Sequence, residues 1–310
     1  MIYTVTLNPA LDKTVELPSL TVDAVNRITK MRTDPGGKGI NVSKVIASLG
    51  GKSIAAGILG GDTGHFIQSA VEDLGIETGF LFAEGETRTN LKIIDPVRHT
   101  NTDINEPGLV VSEEILNRLL ENVLSRLAEG DIVVLSGSIP AGCPKTVYQT
   151  WIRACGAKGV RVILDADGEQ FAEGLKASPY LIKPNHHELS SFFGREMKTP
   201  QELGAAARDM METYGIRKIV VSMGGDGALY VTADEMIHAE GLKVPVGSTV
   251  GAGDSVVAAM AVAEETGMSL SEAARLSTAT GAANVMCSGT QAADYAAIEE
   301  LLNKVVLHRL

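Results

Sequence analysis

Four apolar runs separated by helical patterns constrain the fold of this chain more than any other feature. Residues 131–135, 161–164, 180–182 and 218–221 are continuously apolar after their first residue, rather than alternating. A strand that is apolar on successive residues is covered on both faces, the habit of a parallel sheet held between two layers of helices. Helical patterns over 145–158 and over a longer stretch ending near Tyr214 fall between these runs. The last third predicts helices over 254–265, 269–286 and 295–306. Aromatic residues make up only 4% of the chain against 33 glycines, a balance suited to close helix–sheet packing. Two segments break the rhythm. Residues 14–33 and 87–105 are richer in Thr, Arg, Lys and Asp, and 89–93 alternate polar with apolar side chains as a half-exposed strand would. A small antiparallel sheet projecting from the α/β core accounts for both, with surface loops as the alternative. The chain holds no repeat, low-complexity tract or inter-domain linker, so a single domain over residues 1–310 is expected.

Several function classes fall away early. With 45% hydrophobic residues the chain is not disordered as a whole. Its longest apolar stretch, 256–263, is far below the roughly 20 residues that a membrane span needs. The first five residues enter a strand-like run without the basic region of a targeting segment. A net charge of −11 argues against nucleic acid or an anionic membrane as partner, although local groups can still hold small anions. Cys143, Cys155 and Cys287 are odd in number and lack CxxC spacing, which argues against a disulfide framework or zinc site and for a reducing cytoplasm. His186 and His187 stand in no metal-ligand spacing.

The glycines are clustered, and the clusters carry the chemistry. Residues 250–255 read Val-Gly-Ala-Gly-Asp-Ser and run straight into a helical pattern. Glycines ahead of a helix let backbone N–H groups converge, and the helix dipole adds positive potential there. Such a turn is an anion hole suited to a phosphoryl group in transfer. Asp254 stands at its mouth to accept a hydroxyl proton, kept ionised by the same dipole. The alternative is an aspartate capping a helix after a glycine-rich turn. Residues 34–41 resemble a phosphate loop, but Gly39 stands where Walker A has Ser or Thr after its lysine. The GxGxxG spacing and preceding strand of a dinucleotide fingerprint are missing too. What remains is a helix start whose Lys38 and Asn41 can hold sugar hydroxyls or a phosphate. Residues 222–228 form a glycine-rich turn at the end of a strand, where open α/β sheets bind ligands, though hairpins use the same residues. In 183–188, Asn185 and Glu188 read either as a capping box or as a pair steering hydrated Mg²⁺ near phosphates.

In order along the chain, Asp12 within 7–12, the 36–41 loop, 183–185 with Glu188, and 251–254 resemble the ribokinase-like (PfkB) carbohydrate kinase family. The resemblance runs from Asn8 to at least Asn284, and 87–90, 103–108 and 136–140 are similar to its hexose-phosphate branch. It implies an α/β, ribokinase-like three-layer sandwich with a mostly parallel central sheet. A small β-sheet lid from about 12–35 and 87–108 would double as a homodimer clasp. It also implies ATP- and Mg²⁺-dependent phosphorylation of a ketohexose phosphate. Fructose 1-phosphate going to fructose 1,6-bisphosphate comes first, and tagatose 6-phosphate going to tagatose 1,6-bisphosphate second.

By residue, the resemblance implies Asp12, Gly37, Lys38 and Asn41 around the sugar, Arg88 on its phosphate and Ser138 closing the site. Arg27 would help from a neighbouring subunit. Lys183, Ser222, Gly224, Gly225, Gly227 and Asn284 would meet ATP, with Asn284 near the adenine, while Asn185 and Glu188 would hold Mg²⁺ through water. Gly251, Ala252 and Gly253 would form the anion hole and Asp254 would be the general base. Leu109 departs from the family pattern, in which a proline is expected. A non-catalytic sugar or nucleotide sensor is the reading from another class, and the intact Asp254 with its glycines argues against it. A nicotinamide-dependent dehydrogenase fails for want of GxGxxG after the first strand.

Overall fold

Residues 1–310 are described by a computed structural model. The chain opens with β1 (Ile2–Thr6), β2 (Ala10–Glu16), β3 (Lys30–Gly36), α1 (Lys38–Ser48), β4 (Ser53–Leu59), α2 (Gly61–Glu72) and β5 (Glu77–Phe82). It continues through β6 (Arg88–Asp95), β7 (Thr100–Asn105), α3 (Glu113–Arg126), β8 (Ile132–Ser136), α4 (Val147–Gly156), β9 (Arg161–Asp165), α5 (Gly168–Leu175) and β10 (Leu181–Ile182). Then come α6 (His186–Phe193), α7 (Pro200–Tyr214), β11 (Lys218–Ser222), β12 (Ala228–Val231) and β13 (Met236–Ala239). Finally α8 (Ala252–Thr266), α9 (Leu270–Val285) and α10 (Tyr295–Leu302) precede β14 (Leu307–Arg309).

Ten strands form one sheet in the order β14-β13-β12-β11-β10-β9-β8-β1-β4-β5. The seven from β11 to β5 run parallel, and the remaining three are antiparallel additions at one edge. Alternation within β8 shows why its run is continuously apolar: Val133 and Leu135 face one core, Ile132 and Val134 the other. Helices α3 to α7 cover the first face, where Trp151 and Tyr148 are fully buried. Helices α1, α8, α9 and α10 cover the second. Leu109, the residue out of family pattern, packs into the first core. This is the ribokinase-like three-layer sandwich. No helix is long and apolar enough to cross a membrane.

Helix starts follow local chemistry. Thr199 and Glu202 close a capping box around Pro200 at the head of α7, and Gly215 ends that helix in a left-handed turn. Helix α8 is buried on nearly every side from Asp254 to Glu264, as its alanine- and valine-rich sequence requires. Near its carboxyl end the Glu264 carboxylate pairs with Lys218 and accepts a hydrogen bond from the Tyr180 hydroxyl at 2.7 Å. Arg161 donates to the Glu264 backbone carbonyl at 3.0 Å. Helix α8 is thereby tied to the starts of β9 and β11.

The second sheet has the order β3-β2-β6-β7 and stands on the carboxyl side of the large one. The expectation of an antiparallel sheet is corrected at its centre. Strands β2 and β6 are parallel, because each leaves a parallel strand of the core, β1 or β5, in the same direction. Only the ends of 14–33 belong to strands; 17–29 form a strap between them. Strand β3 also runs directly into α1, so the 34–41 loop does follow a strand, though one of the small sheet. The helix expected over 295–306 stops at Leu302, and the last residues pair with β13 instead.

Candidate active site

The parallel strands end on one side of the molecule, and a cavity of about 710 Å³ lies between those ends and the small sheet. Its lining is almost wholly polar. Asp12 and Arg88 come from the small sheet, Lys38 and Asn41 from α1, Ser138 from the loop after β8, and Asp254 from α8. A second cavity, of about 670 Å³, lies between the β12–β13 side of the sheet and α9. Leu242, Val244, Val246, Ala282 and Val285 give this one apolar walls, and Gly224, Gly225 and Gly227 line its rim. The two cavities share Asn185, Ser222 and Gly253. Ligands at the carboxyl ends of parallel strands are the general rule for open α/β sheets.

The junction is built by the start of α8. Gly251 caps the helix at φ +81°, a left-handed conformation that glycine adopts without steric penalty. The Ala252 amide turns to the Thr249 carbonyl at 3.5 Å, whereas the Gly251, Gly253 and Asp254 amides have no acceptor within the chain. The open donors are therefore 251, 253 and 254 rather than the whole 251–253 run. A side chain on Gly253 would meet the Lys183 ammonium, whose Nζ would lie 3.2 Å from its Cβ. Free N–H groups and an ammonium thus converge on the shared wall.

Two buried carboxylates flank that point. Asp165, at the end of β9, lies between two lysines: Lys183 Nζ is 3.4 Å from Oδ1 and Lys38 Nζ is 3.4 Å from Oδ2. Burial alone would raise its pKa, but the two ammoniums outweigh burial and hold it below the ordinary aspartate value. For Lys38, burial is outweighed by Asp165, Asp254, Asp167 and Glu188, which keep the ammonium charged. Asp254 is as deeply buried but has one close donor, Asn41 Nδ2, at 2.9 Å from its Oδ2. Burial, followed by the Asp165 charge, pushes its carboxyl up to about 6 against Lys38, Asn41 and Lys183. Its place at a helix start does not keep this carboxyl at the ordinary aspartate value. The group sits well above an ordinary aspartate, yet is still mostly ionised at neutral pH.

In the polar cavity Asp12 Oδ1 accepts from Asn90 Nδ2 at 3.1 Å, and burial raises its carboxyl. Arg88 donates to the carbonyls of Pro9, Glu106 and Asn8 at 3.4, 3.2 and 3.0 Å. These bonds orient the guanidinium and leave one N–H on each terminal nitrogen for an anion. Ser138 Oγ accepts from Asn8 Nδ2 at 3.3 Å. Thr6 Oγ1, Asn41 Oδ1, Asn90 Oδ1 and Thr290 Oγ1 are buried without a partner, and all four residues line this cavity. Unsatisfied buried polar atoms are rare in folded chains, and gathered here they suit a hydroxyl-rich ligand.

Asn185 and Glu188 form a capping box at the head of α6. Mg²⁺, which the family resemblance implies, takes one or two carboxylates together with substrate phosphates. Glu188 spends Oε2 on the Asn185 amide and keeps Oε1, and no three His, Cys, Asp or Glu residues are grouped so that they could hold a metal ion between them. A hydrated ion shared between Glu188 and phosphates fits this set, and an all-protein cage does not.

Two implied residues are not brought into the site. Arg27 is exposed on the 17–29 strap, away from both cavities of its own chain. Asn284 does not line the apolar cavity. Its neighbours Gly281, Ala282 and Val285 do, while Asn284 is buried under Gly251, its Nδ2 3.3 Å from where a Cβ there would stand. The turn at Ser222–Gly227 is a hairpin connection between β11 and β12 and also lines the apolar cavity. Asp165 and Asn90 were missed. Asp165 directly follows a continuous apolar run, and that position was the signal.

Comparison with known proteins agrees with this geometry. The family model described as pfkB family carbohydrate kinase matches residues 5–296. The chain is 38% identical over 310 residues to a 1-phosphofructokinase of Bacillus subtilis, covering 100% of each. Phosphofructokinase-2 of Escherichia coli, solved in complex with substrates and products, superposes with a TM-score of 0.93 at 32% identity, over 98% of each chain. A ribokinase of Arabidopsis thaliana, complexed with ribose and ATP, superposes with a TM-score of 0.80 at 25% identity, over 97% of this chain and 98% of that one. The chain belongs to the pfkB family of carbohydrate kinases.

Proposed function

We propose that this ATP-dependent sugar-phosphate kinase phosphorylates fructose 1-phosphate to fructose 1,6-bisphosphate. The observation that carries the reading is the meeting of a polar and an apolar cavity at Asn185, Ser222 and Gly253, beside Asp254. A sugar phosphate suits the first, and the base of ATP suits the second. The relationship to a full-length 1-phosphofructokinase supports fructose 1-phosphate over tagatose 6-phosphate.

In this reading Asp12 and Asn41 hold sugar hydroxyls beside Gly37 and Lys38, and Arg88 grips the phosphate already present. Ser138 closes the site. Asp254 accepts the proton of the attacking hydroxyl. A loose phosphoryl-transfer transition state releases that proton late, so a carboxylate near 6 is basic enough. The free amides at the start of α8, with Lys183, meet charge developing on the transferring group. Mg²⁺, held through Glu188 and Asn185, would neutralise the ATP phosphates. Ser222 and the glycine turn line the path of the nucleotide. Closure of the small sheet as a lid excludes water from the reacting phosphate.

The strap of the small sheet exposes Val22, Val25 and Ile28, which supports a homodimer formed through this lid. Arg27, on the same strap, would then reach a partner's site. A cytoplasmic location accords with the free, unpaired cysteines.

An ADP-release assay with fructose 1-phosphate, fructose 6-phosphate, tagatose 6-phosphate, ribose and adenosine tests the substrate. Highest kcat/KM on fructose 1-phosphate is expected. Turnover confined to ribose or adenosine would remove the sugar-phosphate assignment, and tight binding without any ADP release would point to a sensor.

A further inference from the structure

We propose that Lys44 is a positioning residue for the acceptor site, pinning the turn on which the Asp12 carboxylate rests and supplying positive charge beneath it. The inference rests on the sugar-kinase reading above and deepens it. Lysines are seldom buried unless something requires their charge inside. Lys44, on the inner side of α1, is only 8% exposed. Its Nζ donates to the Pro35 carbonyl at 3.0 Å, and no carboxylate pairs with it directly. Pro35 opposes Leu11 in the β2–β3 ladder, one step from the Asp12–Asp34 pair. The next residue, Gly36, lies so close to the Asp12 carboxylate that any Cβ there would overlap it. Lys44 therefore fixes Pro35, Pro35 fixes Gly36, and Gly36 forms the seat of Asp12.

The charges facing this ammonium come from three elements: Asp12 on β2, Asp34 and Arg32 on β3, and Asp254 on α8. Burial lowers Lys44 to about 8, against the pull of Asp34, Asp12 and Asp254 and with Arg32 adding to the fall. Asp12 in turn is raised by burial and by Asp34, and held down by Asn90, Lys44 and Arg88. The ammonium thus favours the ionised form of the carboxylate that receives the sugar hydroxyls.

The test compares Lys44→Met, which keeps the length of the side chain, with Lys44→Arg, which keeps the charge. Initial rates are measured with whichever sugar phosphate the wild type turns over. For Lys44→Met, KM for the sugar phosphate should rise about tenfold with KM for ATP nearly unchanged, and the acid limb of kcat/KM should move to higher pH. In Lys44→Arg the acid limb should stay where it is in the wild type. Equal effects on both substrates, or an acid limb that does not move in Lys44→Met, would reduce Lys44 to packing.

A second measurement needs neither turnover nor a folded Lys44→Met variant. In ¹³C-lysine NMR the wild-type Lys44 resonance, identified by its absence in Lys44→Arg, should titrate near pH 8 and move lower in Asp12→Asn. A midpoint insensitive to Asp12 would overturn the proposal even if the kinase is active. A wild type inert toward every sugar would remove the functional reading and leave this arm to decide Lys44.

Discussion

The end of β9 and the first turn of α8 each bury an aspartate, and the two carboxyls are driven in opposite directions. Asp165 has an ammonium against each oxygen and is held below its ordinary pKa. Asp254 has one amide donor and a neighbouring negative charge, and rises to about 6. Desolvation acts on both, so the difference is made by partners. One site is saturated with positive charge and serves to hold lysines. The other is left short of it, which suits the proton acceptor proposed for this position.

The sharpest way to break this contrast is Asp165→Asn, which strands the buried Lys183 ammonium and removes a partner from the half-exposed Lys38. Loss of one partner from a buried pair predicts destabilisation of about 3–5 kcal/mol at neutral pH, read from urea unfolding. Because the folded pKa is depressed, this contribution is present above the ordinary aspartate pKa and lost as pH falls through the folded one. The gap between variant and wild type should therefore narrow in acid.

Asp254→Asn should go the other way. Turnover is expected to drop at least about 100-fold while ATP binding persists. A carboxyl raised from 3.8 to about 6 is stabilising when protonated and loses that contribution as pH rises through 6. The amide variant should therefore unfold later than wild type at neutral pH, by about 3 kcal/mol at most. Equal or lower stability would mean that Asp254 is better compensated than its surroundings indicate.

Asn41→Ala removes the single close donor to Asp254. The acid limb of kcat should climb by about one pH unit, as expected for a lost hydrogen bond to a charge. At the small end, Lys304→Ala breaks an exposed pair, at 2.7 Å, between the turn after α10 and Glu300 in its last turn. A change within about 0.5 kcal/mol in the same unfolding assay would show that pairing matters at Asp165 because it is buried.

Legibility in the sequence followed the same division between local and distant causes. The strands β8, β9 and β11 were legible because burial on both faces leaves a continuous apolar run. Strands β12, β13 and β14 were not. They span only three or four residues, and β13 and β14 mix His or Arg with apolar positions, so no period emerges. The parallel β2–β6 pairing depends on the direction in which two distant strands leave the core, which no local pattern records.

In the site, Asp254 announced itself through its own glycine turn. Asp165 acquires its chemistry from Lys38 and Lys183, far away in sequence. That Asn284 stands off the apolar cavity while Ala282 and Val285 line it was not legible, because α9 is rich in Ala, Ser and Thr and buried over much of its surface, so its rotation about its axis is not written in its polarity.

Helix α8 joins the cavity end that carries Asp254 to an anchored one. Asp254 stands ten steps along unbroken helix from Glu264, which is fastened to the starts of two strands, a rod of about 15 Å. The rod works as a gauge that sets how far the carboxylate protrudes past the sheet. Inserting one residue between 255 and 263 would swing Asp254 by about 100° and carry it away from Asn41, whereas the same insertion in the 17–29 strap would be taken up by slack. The tolerance of this enzyme to length changes is thus expected to be lowest along a helix that few would mutate for activity.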